Sequence, residues 1–153
     1  MKIAIDADVN GGELKKILCE FLKEKKVDFE DLAYLDSDSC DYPDVAFNLA
    51  RAVQKGDFDR GILICGTGLG MAMCANKVRG VFAGVCHDVY SAERLRKSND
   101  AQIITLGSLV IGPQAAVTVI DAWLDSEFQG GRSQPKVKRM RQLEAESYEK
   151  ANQ

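Results

Sequence analysis

The stretch Gly61-Ile-Leu-Ile-Cys65-Gly-Thr-Gly-Leu-Gly-Met71, running on into Ala72-Met-Cys-Ala-Asn-Lys77, decides the fold. Four apolar or small residues bounded by glycines read as a buried strand, and the residues after them read as a glycine loop opening a helix. A strand feeding a helix through such a loop is the first half of a βαβ unit, which belongs to parallel sheets. The loop is also chemically suggestive. Gly66, Gly68 and Gly70 let the main chain wrap closely around a ligand and aim N–H groups at an anion. Cys65 stands at the strand's C-terminal end, where the same donors would favour negative charge on sulfur. A thiol beside an anion hole is what proton abstraction next to a carbonyl requires.

Outward from this stretch, strand and helix patterns alternate. Lys2–Asp6 is a short apolar strand, and 12–25 continues with Leu14, Ile17, Leu18, Phe21 and Leu22 at helical spacing. A weak strand is expected at 29–35, a polar loop carrying Cys40 at 37–43, and a helix at 44–54. After the central unit come a strand at 81–85, a helix at 89–97, a strand at 102–106 and a helix at 113–124 that opens on proline. Gly130-Gly131 breaks the pattern before a charged helix at about 133–150. The expected fold is α/β, a Rossmann-like three-layer αβα sandwich with a five-stranded, mostly parallel sheet and a C-terminal helix, all in one domain over 1–153. In such sheets ligands bind beyond the C-terminal strand ends. Asp6 and Asp8, Cys65 with its glycines, and His87 with Asp88 all fall there.

Each candidate has a second reading. Gly-x-Gly-x-Gly also occurs in nicotinamide-binding folds, but there it follows the first strand and lacks the preceding cysteine; a purely structural turn is the other reading. Asp8, just before Asn10-Gly11-Gly12, suits either turn chemistry and helix capping or a contact to a ligand hydroxyl. Cys19, Cys74 and Cys86 lack the setting of Cys65 and read as packing. Arg132 and Lys136 stand four apart near a helix start, which suits a phosphate, whereas Lys138, Arg139 and Arg141 read as a solvated face.

Composition removes other classes. The charged fraction is 28% and the net charge −3, so an overall basic surface for nucleic acid is absent. No apolar run is long enough to span a membrane. Five cysteines, an odd number without a C-x-x-C pair, argue against a disulfide framework or structural zinc and for a reducing cytoplasmic setting. One histidine, His87, rules out a histidine-rich metal site.

Along nearly its whole length the chain resembles the ribose-5-phosphate isomerase B / galactose-6-phosphate isomerase family. The resemblance rests on Asp8, Asp41-Tyr42-Pro43, Cys65-Gly-Thr-Gly-Leu-Gly70, Ala75-Asn-Lys77, Tyr90-Ser-Ala92, Asn99-Asp100, Gly107-Ser108 and Gly130-Gly-Arg132, in the family's order and spacing. It implies an aldose–ketose isomerase of a phosphorylated sugar, working through an enediolate with neither metal nor organic cofactor. It implies a homodimer, with a tetramer left open, in which each active site is completed by the partner and the C-terminal helix packs on it. By this resemblance Cys65 is the base that moves a proton between C1 and C2, and Thr67 assists transfer between the oxygens. The backbone of Gly66, Thr67, Gly68, Leu69 and Gly70 stabilises the enediolate; Asp8, Tyr42 and Asn99 contact the sugar; Arg132 binds the phosphate.

Three departures stand out. The family's ribose-5-phosphate isomerases usually carry histidine after the first-strand aspartate, where this chain has Val9. They carry histidine before Asn-Asp, assigned to opening the sugar ring, where this chain has Ser98. Lys136 stands where a second phosphate arginine is usual, keeping charge but losing the bidentate fork. A tetrose 4-phosphate has its O4 esterified, cannot close a five-membered ring, and needs no ring-opening group. The segment His87-Asp88 to Gln102-Ile-Ile-Thr105 resembles family members that handle erythrulose 4-phosphate. Other readings stay open: His87 as a displaced acid–base group, a non-catalytic phosphosugar binder, or one chain of a heteromeric isomerase.

Overall fold

The computed structural model describes residues 1–33 and 41–151. Cys40 and most of the loop expected around it lie outside those residues, as does the end of the strand expected at 29–35. The elements are β1 (Lys2–Ala7), α1 (Gly12–Glu24), β2 (Asp28–Asp31), α2 (Tyr42–Lys55), β3 (Arg60–Cys65), α3 (Leu69–Ala75), β4 (Ala83–Val85), α4 (Val89–Lys97), β5 (Ile103–Gly107), α5 (Pro113–Leu124) and α6 (Gln134–Ala151). The strands form one sheet in the order β2-β1-β3-β5-β4. Every pairing is parallel, so the sheet expected to be mostly parallel is wholly so.

The period of two along each strand sorts side chains onto two faces. Ile62 and Ile64 of β3 join Leu14, Leu18 and Leu22 of α1 and Val119, Ile120 and Trp123 of α5 in one core. Leu63 and Cys65 turn the other way, to Val45, Leu49 and Val53 of α2 and Met71 of α3. Helices on both faces leave the strand ends as the sheet's accessible edges.

Topology fixes which edge matters. From β1 the chain winds outward to β2, then crosses back to β3 and continues the other way, so its winding reverses between β1 and β3. That switch point is where open parallel sheets hold ligands. Asp8 follows β1 and Cys65 ends β3, with Asp6 paired to Leu63 and Ala7 to Ile64 in the register between them.

α6 is held to the body largely by polar contacts. Glu144 accepts from Gly80 N–H at 3.0 and 3.1 Å, Arg141 reaches Asp100 at 2.8 Å, and Tyr148 donates to the Lys77 carbonyl at 3.2 Å. Arg141 is therefore a tie between α6 and the turn that follows α4 rather than part of a purely solvated face. Met140 and Leu143 remain exposed on this helix. Among the described residues no helix is long and apolar enough to cross a membrane.

Candidate active site

β3 delivers Cys65 to the sheet edge almost fully buried, and its carbonyl accepts from Ser108 N–H at 2.8 Å. The chain then folds back so that Gly68 N–H donates to Cys65 Sγ at 3.1 Å. Only glycine allows this. Gly68 sits at φ +77, and a Cβ there would lie 2.9 Å from the Leu106 carbonyl carbon. A Cβ on Gly70 would lie 2.5 Å from the Tyr42 ring, so its absence lets that ring settle on the loop. Thr67 is exposed at the loop's crest, and its hydroxyl oxygen accepts from Leu69 N–H at 3.3 Å. The loop is fastened to β5 from below by Thr105, whose hydroxyl donates to the Gly68 carbonyl at 2.8 Å, and by Leu109 N–H to the Gly66 carbonyl at 3.0 Å.

Asp8 is buried, and its Oδ1 accepts from Asn10 N–H at 2.9 Å and Gly11 N–H at 3.1 Å. The turn reading is thus realised. The capping reading is not: the N-cap of α1 is Gly11, without a side-chain cap. Asp8, Tyr42, Cys65, Gly66, Thr67 and Gly70 line one cleft of about 380 Å³, joined by Asn10 and Met73. Asp6 lies inside β1, buried, 3.4 Å from Lys15 Nζ, and does not line this cleft.

Asn99, Arg132 and Lys136 line a different and larger pocket of about 650 Å³. The two linings share no residue, so one chain does not unite the predicted site residues. Arg132 stands in a short 3₁₀ turn, Gly131–Ser133, and Lys136 in the first turn of α6. Arg94 and Lys97 from α4 add two cations to this pocket, and no carboxylate lines it. Lys97 is partly neutralised by Glu93 at 3.0 Å. Sequence reasoning missed Arg94 and Lys97, although Arg94 stands one helical turn before Ser98, and its Nη1 lies 3.5 Å from the Ser98 hydroxyl. The Asn99 turn is secured by Asp100, at φ +52, which bridges Arg96 at 3.3 Å and Arg141 at 2.8 Å.

His87 lines neither pocket; its Nε2 accepts from Gly107 N–H at 2.8 Å. Burial lowers its pKa, opposed by the neighbouring Asp88. Asp88 itself caps α4, accepting from Ser91 N–H at 2.7 Å. Burial pushes the Cys19 and Cys86 thiols up to about 11 and raises that of Cys74, in keeping with packing roles.

Comparison with known proteins shows the family to which this fold and sequence belong. A profile of the family described as Ribose/Galactose Isomerase matches residues 3–140. The Ribose-5-P isomerase B of Listeria innocua is 54% identical over 144 residues, covering 94% of this chain and 97% of that protein. The D-erythrulose-4-phosphate isomerase of Pectobacterium atrosepticum is 50% identical over 141 residues, covering 92% and 93%. The solved structure of Clostridium thermocellum Ribose-5-Phosphate Isomerase B superposes with a TM-score of 0.91 at 43% identity, covering 96% of this chain and 99% of that one. This chain belongs to the ribose/galactose isomerase family and is an aldose–ketose sugar-phosphate isomerase.

Proposed function

We propose that Cys65 is the base of this isomerase and that its substrate is a tetrose 4-phosphate, of the erythrulose/erythrose 4-phosphate class. The observation that carries the first part is the hydrogen bond from Gly68 N–H to Cys65 Sγ, inside a cleft that also holds Asp8, Tyr42 and Thr67. Cys65 takes the proton from the carbon beside the carbonyl. The C–H electron pair becomes the new C=C bond, and the carbonyl oxygen becomes anionic beside the backbone N–H groups of Gly66 to Gly70. Thr67 passes a proton between the two oxygens, and the thiol returns its proton to the adjacent carbon, so nothing is gained or lost overall. The second oxygen of the Asp8 carboxylate and the Tyr42 hydroxyl suit the sugar hydroxyls.

The second part rests on what lines the cationic pocket. Ser98 stands there instead of an imidazole, and the chain's one histidine lines neither pocket. A substrate with no closed ring needs neither. The split between pockets supports a homodimer in which Asn99, Arg132 and Lys136 of one copy reach the Cys65 cleft of the other, with exposed Met140 and Leu143 of α6 packing on the partner.

The test is turnover of ribose 5-phosphate, allose 6-phosphate, galactose 6-phosphate and erythrulose 4-phosphate by the purified protein and by Cys65→Ala. The expected result is preference for erythrulose 4-phosphate and a loss of ~10³-fold in kcat on removing the base. Faster turnover of ribose 5-phosphate would overturn the four-carbon reading, and an active Cys65→Ala would overturn the thiol base.

A further inference from the structure

We infer that His87 is a positioning residue: its imidazole stands in for a missing strand residue and holds the β5 end against which the Cys65 loop is built. The inference rests on the catalytic reading of that loop. Every second amide of β5 faces β4: Ile103 N–H donates to the Phe82 carbonyl, and Gly107 N–H, four residues on, faces the same side. By then β4 has ended, at Val85. His87 Nε2 accepts the bond at 2.8 Å in place of a backbone carbonyl.

What Gly107 supports makes this bond consequential. Its Cα packs so closely under the loop that a Cβ would lie 2.6 Å from the Thr67 Cα and 2.8 Å from the Gly66 oxygen. Gly107 is the register partner of Cys65, and the next amide, Ser108 N–H, donates to the Cys65 carbonyl. Releasing Gly107 therefore loosens the floor under Thr67 and the anchor of Cys65 together. A buried N–H without a partner is costly, so the fold has reason to keep this acceptor.

An accepting Nε2 requires the neutral ring with its proton on Nδ1. Few charges compete for that ring. Asp88 raises its basicity and burial lowers it more strongly. β5 and the turn 108–112 carry no charged side chain, and the glycine loop carries only the Cys65 thiol. On α4, Glu93 is paired with Lys97, and Arg94 lies over Tyr90. With its folded pKa below the usual 6.5, the ring's contribution is full above pH 6.5 and fades as pH falls toward the folded value.

The experiment compares His87→Leu and His87→Gln in the full chain, reading kcat, KM and pH profile, with imidazole nitrogen and backbone amide NMR of the unmodified protein. Glutamine offers an oxygen acceptor that does not titrate. His87→Leu is expected to lower kcat by roughly tenfold with little change in KM, because positioning is lost and binding is not. His87→Gln is expected to recover most of that loss and to remove the part of the acid-side decline that His87 protonation causes, leaving the limb set by the Cys65 base. NMR is expected to show Nδ1 protonated at neutral pH, and the Gly107, Thr67 and Gly68 amides shifting together as His87 titrates. A glutamine variant as impaired as the leucine one, a leucine variant without effect, or a ring protonated on Nε2 would overturn the inference. The NMR arm needs no turnover, so it stands apart from any failure of the substrate reading.

Discussion

The Cys65 cleft is made of main chain, whereas the Arg132 pocket is made of long side chains. In the first, the sulfur and the Asp8 carboxylate are buried and each accepts from backbone N–H groups at 2.9–3.1 Å. Glycines at 68 and 70 are there because a side chain would strike backbone or the Tyr42 ring. In the second, Arg132 and Lys136 are exposed on a turn and a helix start, and the walls are joined by the Gln129 N–H bond to the Lys97 carbonyl at 3.1 Å and, beside the pocket, by an ion-pair bridge through Asp100. The difference suits the two tasks proposed for these pockets. Proton abstraction depends on sub-ångström placement, which rigid backbone supplies without further ordering. Capturing a phosphate needs charge within reach, and long, exposed cationic side chains can provide it.

The largest expected disturbance of this contrast is Gly68→Ala. The new Cβ meets the Leu106 backbone at 2.9 Å and must adopt φ +77, so the loop has to shift and the amide leaves the sulfur. We expect a loss of ~1–3 kcal/mol of stability in chemical denaturation and about a hundredfold lower kcat. Unchanged kcat would mean that the Gly68 amide has no part in the chemistry. Arg132→Ala should act the other way round. Arg132 is exposed and makes no ion pair among the described residues, so the melting temperature should hold while KM for the phosphorylated substrate rises about 10- to 100-fold. A fall in kcat at constant KM would erase the division between the two pockets.

Much of this molecule was legible in its residues, and the reasons differ by element. Apolar strands and amphipathic helices revealed the order of elements because burial on both sheet faces leaves strong periods. Boundaries moved where single residues decided them. α2 starts at Tyr42 rather than 44, since Asp41 is already extended and Pro43 fits the first turn. α3 stops at Ala75, because Asn76 Nδ2 donates to the Ala72 and Ala83 carbonyls and its Oδ1 accepts from Ala83 N–H, stitching the helix end to β4. β4 is shorter than the apolar run Val81–Val85, because Phe82 N–H is taken by the Gln102 side chain. Cys65, Asp8 and the glycine loop were readable because topology sends them to one switch point. The separation of Asn99 and Arg132 from them was not legible in spacing, which does not tell which surface an edge faces; only the family resemblance, with its partner-completed site, implied it. Nor was the bond of His87 to Gly107, which exists only because β4 ends before β5 does.

In the reading proposed for this isomerase, the two pockets are halves of one site supplied by two copies of the chain. Co-expressing Cys65→Ala with Arg132→Ala, each carrying a different affinity tag, and purifying through both tags separates a shared site from two self-contained ones. If the halves come from different copies, the mixed dimer holds one intact site and one doubly damaged site, and, assayed at substrate well below KM where Arg132→Ala alone is slowed about 10- to 100-fold, it recovers about half of the unmodified dimer's turnover. If each chain built its own site, the mixed dimer at that substrate level would show no more activity than the average of the two variants, and the site would not be shared.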